Sequence, residues 1–169
     1  MYDPATFIEK KKLQGHVKAI TGISRRDERT LVTSGADGYI RVWDLKTARQ
    51  TGTLSGHHFH IVGFFLDGKH AVSGSLDGSL RVWDVASSRT LSVINVGSSS
   101  EPMHALTRVS KTRFIGSFPS GIMKMWDVSC VLAADQNDVY PNMRPCVGPG
   151  QCVFSCVNVL VVTVSRMVC

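Results

Sequence analysis

Cysteine is absent from the first 129 residues of this 169-residue chain, and the remaining part holds all five cysteines. They are Cys130, Cys146, Cys152, Cys156 and Cys169. No C-x-x-C pair occurs, and no histidine follows residue 129 to complete a site with the C-x3-C pair at residues 152 and 156. These absences disfavour zinc. We therefore predict reduced thiols and no metal site.

We expect no secretory leader and no membrane-spanning run, because neither pattern is seen in this sequence. Residues 1–7 carry an aspartate and no continuous apolar stretch, which is unlike a signal peptide. The longest apolar run, residues 153–164, includes Ser155 and Asn158 and is shorter than the roughly 20 residues that a membrane-spanning helix needs. Its β-branched residues predict one or two strands. We expect an intracellular protein, cytoplasmic or nuclear, without membrane contact.

Signatures of enzymes are missing as well. The sequence has no glycine loop that would hold phosphates, no cluster of metal ligands and no nucleophile in a recognised setting. We predict no enzymatic activity and no cofactor. With 43% hydrophobic residues and a mean hydropathy of +0.05, the chain is apolar enough to bury a core. The net charge of +6 permits acidic partners without identifying one.

An internal repeat is the most informative feature present. The sequence Arg-Val-Trp-Asp occupies residues 41–44 and recurs 40 residues later at residues 81–84, and a weaker copy, Lys-Met-Trp-Asp, occupies residues 124–127. Gly-His precedes the first two copies at residues 15–16 and 56–57. In both units an aspartate stands six residues before the tryptophan. Three features in one register indicate a repeated structural unit.

Each of the first two units divides into four short stretches of strand-forming residues separated by turn residues. They are residues 17–23, 30–34, 39–43 and 49–54 in the first unit, and residues 61–65, 71–73, 80–83 and 90–96 in the second. Almost no segment favours a helix. The sequence therefore predicts an all-β fold.

These repeats resemble the WD-repeat β-propeller family, whose period is about 40 to 45 residues. The resemblance implies blades of four antiparallel strands arranged around a channel. We predict a partial propeller over residues 1–128, with about three blades and a ring-closing outer strand. The blades are residues 14–55, 56–96 and 97–128, the outer strand is residues 5–13, and residues 129–169 form a divergent tail. This tail is expected to be a poor extra blade or disordered.

The resemblance also implies a buried hydrogen-bond chain in each blade, from aspartate to histidine, to a hydroxyl and to the indole. Its members would be His16, Thr33, Asp37 and Trp43 in the first unit, and His57, Ser73, Asp77 and Trp83 in the second. The third unit retains only Trp126. Because the set occurs twice and should face a neighbouring strand, we interpret it as structural, although its residue types are those of a hydrolytic triad.

In this family partners commonly dock on the face formed by the Gly-His loops and the aspartate turns. That face would present Lys18, Ala36, His58, Phe59, His60 and Leu76. An aromatic side chain flanked by two imidazoles is a plausible binding hot spot. The alternative, given equal weight, is that Phe59 packs inward beneath its loop. No carboxylate or cysteine at ligand spacing accompanies the histidines, so we predict no metal there.

We therefore expect a non-enzymatic scaffold or adaptor that binds other proteins. An arc of three blades would leave strand edges and blade faces unpaired, which favours three explanations: a truncated chain, self-association or a poor fourth blade. One alternative function is substrate recognition in a ubiquitin ligase, since residues 73–84 resemble repeats of F-box proteins with WD repeats. Another is an RNA-associated role, because residues 1–128 carry 17 basic and 11 acidic residues, with basic groups at residues 10–12 and 25–29.

Overall fold

The computed structural model describes residues 11–96, 101–135 and 159–163. These residues form twelve strands and one short helix. The strands are β1 (Ile20–Arg25), β2 (Thr30–Gly35), β3 (Ile40–Asp44), β4 (Arg49–Leu54), β5 (Ile61–Asp67), β6 (His70–Ser75), β7 (Ser79–Asp84), β8 (Arg89–Asn95), β9 (Ala105–Arg108), β10 (Arg113–Ser117), β11 (Ile122–Asp127) and β12 (Val159–Thr163), and the helix is α1 (Ser129–Asp135).

The strands pair into three antiparallel sheets of four. The first sheet has the order β1-β2-β3-β4, the second β5-β6-β7-β8, and the third β9-β10-β11-β12. One register is shared by all three, because each tryptophan of the third strand pairs with the second-strand residue twelve positions earlier. The pairs are Trp43 with Leu31, Trp83 with Ala71 and Trp126 with Phe114. The predicted all-β fold of four-stranded antiparallel blades is confirmed.

The sheets stack face to face, and the core lies in the two layers between them. The inner strands β1, β5 and β9 lie side by side in that order. One buried cluster joins the first two sheets and consists of Val32, Ile40, Val42, Leu54, Ile61, Ala71, Trp83 and Val85. The other joins the second and third sheets and includes Val72, Leu80, Val82, Met103, Leu106, Phe114, Phe118 and Trp126. Alternation along each strand therefore divides its residues between two neighbouring sheets.

Tight turns join the second and third strands of each sheet. Gly38, Gly78 and Gly121 occupy the same turn position, with φ of 82°, 77° and 80°. Glycine adopts this left-handed backbone without the steric cost that a Cβ would bring. The Asp-Gly pairs of the first two repeats thus set the β2–β3 and β6–β7 turns.

The third sheet takes its fourth strand from beyond residue 128. Residues 101–128 contain three of its strands, and the fourth is β12, which pairs with β11 through partners such as Trp126 and Val159. The predicted strand in residues 153–164 therefore lies in this sheet, where it covers the hydrogen-bonding edge of β11. Helix α1 was not predicted. The ring-closing strand proposed for residues 5–13 falls largely outside the described residues, and the described residues 11–13 have no regular structure.

Because residues 97–100, 136–158 and 164–169 also lie outside the described part, the division of the chain into blades and tail stays a prediction. Among the described residues, no helix has both the length and the apolar character needed to cross a membrane.

Candidate interaction face and the hydrogen-bond networks beneath it

A chain of hydrogen bonds crosses the first sheet from its aspartate turn to its tryptophan. His16 Nδ1 lies 3.0 Å from Asp37 Oδ1, and His16 Nε2 lies 2.8 Å from Thr33 Oγ1. Trp43 Nε1 donates to the same Thr33 Oγ1 at 2.8 Å. Since a carboxylate only accepts, Nδ1 carries the proton, and the threonine hydroxyl donates to Nε2. Each polar side-chain group of this hydrogen-bond network therefore has a partner.

The second sheet repeats the arrangement. His57 Nδ1 lies 3.0 Å from Asp77 Oδ2, His57 Nε2 lies 2.8 Å from Ser73 Oγ, and Trp83 Nε1 donates to Ser73 Oγ at 2.8 Å. Sequence reasoning missed a fifth member, Ser79, whose hydroxyl donates to Asp77 Oδ1 at 2.6 Å and lies 3.1 Å from His57 Nδ1. A hydroxyl two residues after the turn aspartate was the available signal.

Burial and hydrogen bonding set the charge states of the second network. Burial lowers the pKa of His57 below its ordinary value, and the hydrogen bond with Asp77 opposes that effect without reversing it. Burial alone would raise the pKa of Asp77, but hydrogen bonds from His57, Ser79 and the His58 backbone lower it well below its usual range. The pKa of Asp37 is lowered by the same balance, with His16 as the main donor. A neutral imidazole beside an ionised carboxylate follows for the second sheet.

The hydroxyls of the networks are closed to solvent. Ser73 is 0% exposed and Thr33 is 3% exposed. A catalytic nucleophile needs access to a substrate as well as a hydrogen bond to its base. Each hydroxyl here has the imidazole beside it but is buried and also accepts from an indole N–H, so we interpret the arrangement as one that holds strands together.

The third sheet replaces the network with apolar packing. Gly116 takes the register position of Thr33 and Ser73, and a Cβ there would lie 2.9 Å from Trp126 Cζ3. The indole therefore packs directly on the glycine. Phe118 contacts the same indole with ring centroids 6.3 Å apart, and Lys124 Nζ lies 4.5 Å from the centre of the Phe118 ring.

The networks also fix the loops that lead into the first strands. Asp37 Oδ2 accepts from the backbone N–H of Val17 at 3.2 Å, and Asp77 Oδ2 accepts from the backbone N–H of His58 at 3.0 Å. In the second sheet, Ser75 Oγ also donates to the Phe59 carbonyl at 3.1 Å. Each aspartate thus joins its turn to the Gly-His loop beside it.

The predicted contact residues differ in exposure. Lys18, His58, Phe59 and His60 are exposed, Leu76 is half-buried, and Ala36 is only 7% exposed. Phe59 is 58% exposed, so its ring does not pack beneath the loop. The Gly38 turn of the first sheet packs directly against the Gly-His loop of the second sheet. A Cβ on Gly38 would lie 2.8 Å from the His57 carbonyl oxygen and 3.3 Å from that of Phe59.

The basic residues at 25–29 are partly engaged within the chain. Arg29 donates to Asp44 Oδ2 at 2.8 Å through Nη2 and at 3.1 Å through Nε. Arg25 Nε donates to the Asp27 carbonyl at 2.9 Å. Across the described ranges, no three histidine, cysteine, aspartate or glutamate residues group closely enough to hold a metal ion.

Comparison with known proteins agrees with this architecture. The family described as "WD domain, G-beta repeat" matches residues 8–44 and 48–84. No curated protein sequence matches the chain. The crystal structure of the computationally designed Ika4 protein is similar at a TM-score of 0.61 and 28% identity, over 72% of this chain and 74% of that one.

This chain is also similar to parts of two longer chains whose crystal structures are known. The computationally designed Ika8 protein matches at a TM-score of 0.59 and 29% identity, over 69% of this chain and 35% of that one. The C-terminal WD40 domain of Sif2 matches at a TM-score of 0.64 and 25% identity, over 74% of this chain and 37% of that one. The chain thus spans little more than a third of either. The resemblance seen in the sequence is confirmed: residues 8–44 and 48–84 match the WD40 repeat, and the described residues of the two repeats fold as four-stranded blades of the β-propeller type.

Proposed function

We propose that this chain is a non-enzymatic adaptor, the type of protein-interaction scaffold that WD40 repeats indicate. It binds a protein partner through the loop face, defined as Lys18, His58, Phe59, His60 and Leu76. The observation that carries the proposal is the 58% exposure of the Phe59 ring on a backbone fixed by hydrogen bonds.

The loop that carries Phe59 is held on both sides. Asp77 accepts from the backbone of His58, and the Leu76 N–H donates to the His60 carbonyl at 3.0 Å. A loop already held in one conformation loses little entropy on binding. An exposed aromatic ring on such a loop has the properties of an interface hot spot.

The chemistry of the loop face favours a partner with apolar and acidic groups. His58 and His60 flank Phe59 in the sequence, and Lys18 is also exposed on the loop face. Asp37 and Asp77 accept hydrogen bonds from donors within the networks. A partner that places a carboxylate beside an apolar side chain would satisfy both features.

The experiment compares proteins captured from cell extract by the 169-residue chain, by Phe59→Ala and by Val93→Ala. Val93 is the matched control, since it is 46% exposed but lies on the outer strand β8. We expect at least one captured protein to lose about tenfold or more of its binding to Phe59→Ala alone, because hot-spot truncations cost about 2 kcal/mol or more. Its affinity is then measured with purified components.

Equal capture by the two variants would overturn the proposal. Both variants must first show the unfolding midpoint of the parent chain, as expected for exposed positions. Recognition of ubiquitin-ligase substrates, association with RNA and an intracellular location stay predictions.

A further inference from the structure

The shared register allows the same position to be compared in different sheets. Ile20 in β1 pairs with Gly35, and Ile61 in β5 pairs with Ser75, so the two isoleucines are equivalent. Ile61 is 0% exposed, whereas Ile20 is 52% exposed. The first sheet covers Ile61, but among the described residues no sheet precedes the first one to cover Ile20.

A second inner-strand position shows the same contrast. Ile23 pairs with Thr33 as Leu106 pairs with Gly116, which makes Ile23 and Leu106 equivalent. Leu106 is 7% exposed beneath the second sheet, and Ile23 is 68% exposed. We call Ile20 and Ile23 the first open face.

The opposite end of the stack presents the complementary positions. Val32, Ile40 and Val42 of the first sheet are 0%, 0% and 6% exposed because the second sheet packs on them. Their register equivalents in the third sheet are Ile115, Met123 and Met125, which are only partly buried. Together with the exposed Ala105 they form the second open face.

Small residues mark where the next inner strand approaches. A Cβ on Gly22 would lie 3.4 Å from Phe64 Cβ of the next sheet, and a Cβ on Gly63 would lie 2.6 Å from Leu106 Cβ. Ala105 is the third residue in this series, since it pairs with Ser117 as Gly22 pairs with Ser34. Ala105 already carries a Cβ at this position, so the fitting spacing is that of the Gly22 junction, where a Cβ would make an ordinary van der Waals contact with the next inner strand.

We propose that two copies of this chain associate head to tail, with the second open face of each copy on the first open face of the other. The second copy is the fitting occupant because each open face repeats one side of the two junctions that the chain already forms internally. Two equivalent junctions close a ring of six sheets, within the range of about four to eight blades in propellers. In that ring Ile23 packs on Ala105 of the other copy. This proposal is independent of the adaptor function.

The first measurement is the mass of the 169-residue chain by sedimentation equilibrium at increasing concentration. We expect a closed dimer with twice the chain mass of 18.5 kDa and no larger species. A chain that remains monomeric at every concentration overturns the proposal. A trimer or an open series of larger assemblies overturns the closed ring.

Paired variants then locate the contact. Ile23→Lys and Ala105→Glu each change an exposed residue, and each is expected to raise the dimer dissociation constant by about a hundredfold or more, because an unpaired charge becomes buried at both junctions. Val93→Lys, on the outer strand β8, is the matched control and should leave the dimer intact.

Mixing Ile23→Lys with Ala105→Glu should restore a dimer, because one junction is then unchanged and the other pairs opposite charges. Only folded chains can be rescued in this way, so the mixture also excludes misfolding as the cause. A dimer that survives either single variant, or no dimer on mixing, overturns the assigned contact.

Discussion

The hydroxyl of Ser73 joins two buried groups of the second sheet, and Ser73→Ala removes both bonds at once. Trp83 Nε1 loses its acceptor and His57 Nε2 loses its donor, each from a distance of 2.8 Å. Ser73 is 0% exposed, so water cannot replace the hydroxyl without opening the sheet. The substitution therefore leaves two buried polar atoms unpaired.

The expected cost follows from these two atoms. A buried donor or acceptor without a partner costs about 1 to 3 kcal/mol, so we expect the free energy of unfolding to fall by about 3 kcal/mol. With a urea dependence of about 2 kcal/mol per molar, the unfolding midpoint should fall by about 1.5 M.

Urea unfolding followed by tryptophan fluorescence measures this change at one fixed protein concentration. Ser55→Ala is the matched control, because Ser55 is exposed between β4 and β5, and its midpoint should equal that of the parent chain. Ser73→Thr retains a hydroxyl, as Thr33 does in the first sheet, and should recover most of the stability.

Equal midpoints for Ser73→Ala and Ser55→Ala would refute the reasoning. So would a double variant, Ser73→Ala with Trp83→Phe, whose loss equals the sum of the two single losses. The two side chains share one bond, and their effects should not add.

Three further outcomes are expected. The pKa of His57 is lowered in the fold, so below about pH 6.5 the unfolded chain binds a proton that the fold does not, and stability should fall as pH drops. Urea midpoints measured between about pH 8 and about pH 4 should therefore decline less in His57→Gln than in the parent chain, and equal slopes would contradict this. Gly63→Ala should lower the free energy of unfolding by about 1 to 3 kcal/mol, because its Cβ would lie 2.6 Å from Leu106 Cβ; an unchanged melting temperature would show that the sheets separate freely. Ala48→Gly should raise the free energy of unfolding by about 1 kcal/mol, since Ala48 has φ of 56°, and a lower urea midpoint would argue against strain there.

Local sequence was sufficient for the first two sheets. Their strands, turns and third-strand tryptophans repeat in one register, and hydrogen bonding between neighbouring strands needs only that alternation and the glycine turns. The residue types at His16, Thr33 and Trp43 also predicted which groups lie within hydrogen-bond distance, because partners about ten to twenty residues apart are brought together by adjacent strands.

Longer-range features required the tertiary structure. Sequence spacing gave no sign that β12 pairs with β11, because a strand edge accepts any extended segment that reaches it. Likewise, Phe118 packs on Trp126 in a sheet whose network residues are missing, and only the packed structure shows that ring contact.

The sequence by itself determined the repeated unit, its four strands and the polar residues that hold it together, since these depend on contacts within one blade. Only the tertiary structure decided which copy of each repeated position is buried. Ile61 and Ile20 hold the same place in the register, yet the first is covered and the second is 52% exposed. The physical reason is that burial depends on the neighbouring sheet, and a residue's own repeat does not specify that neighbour.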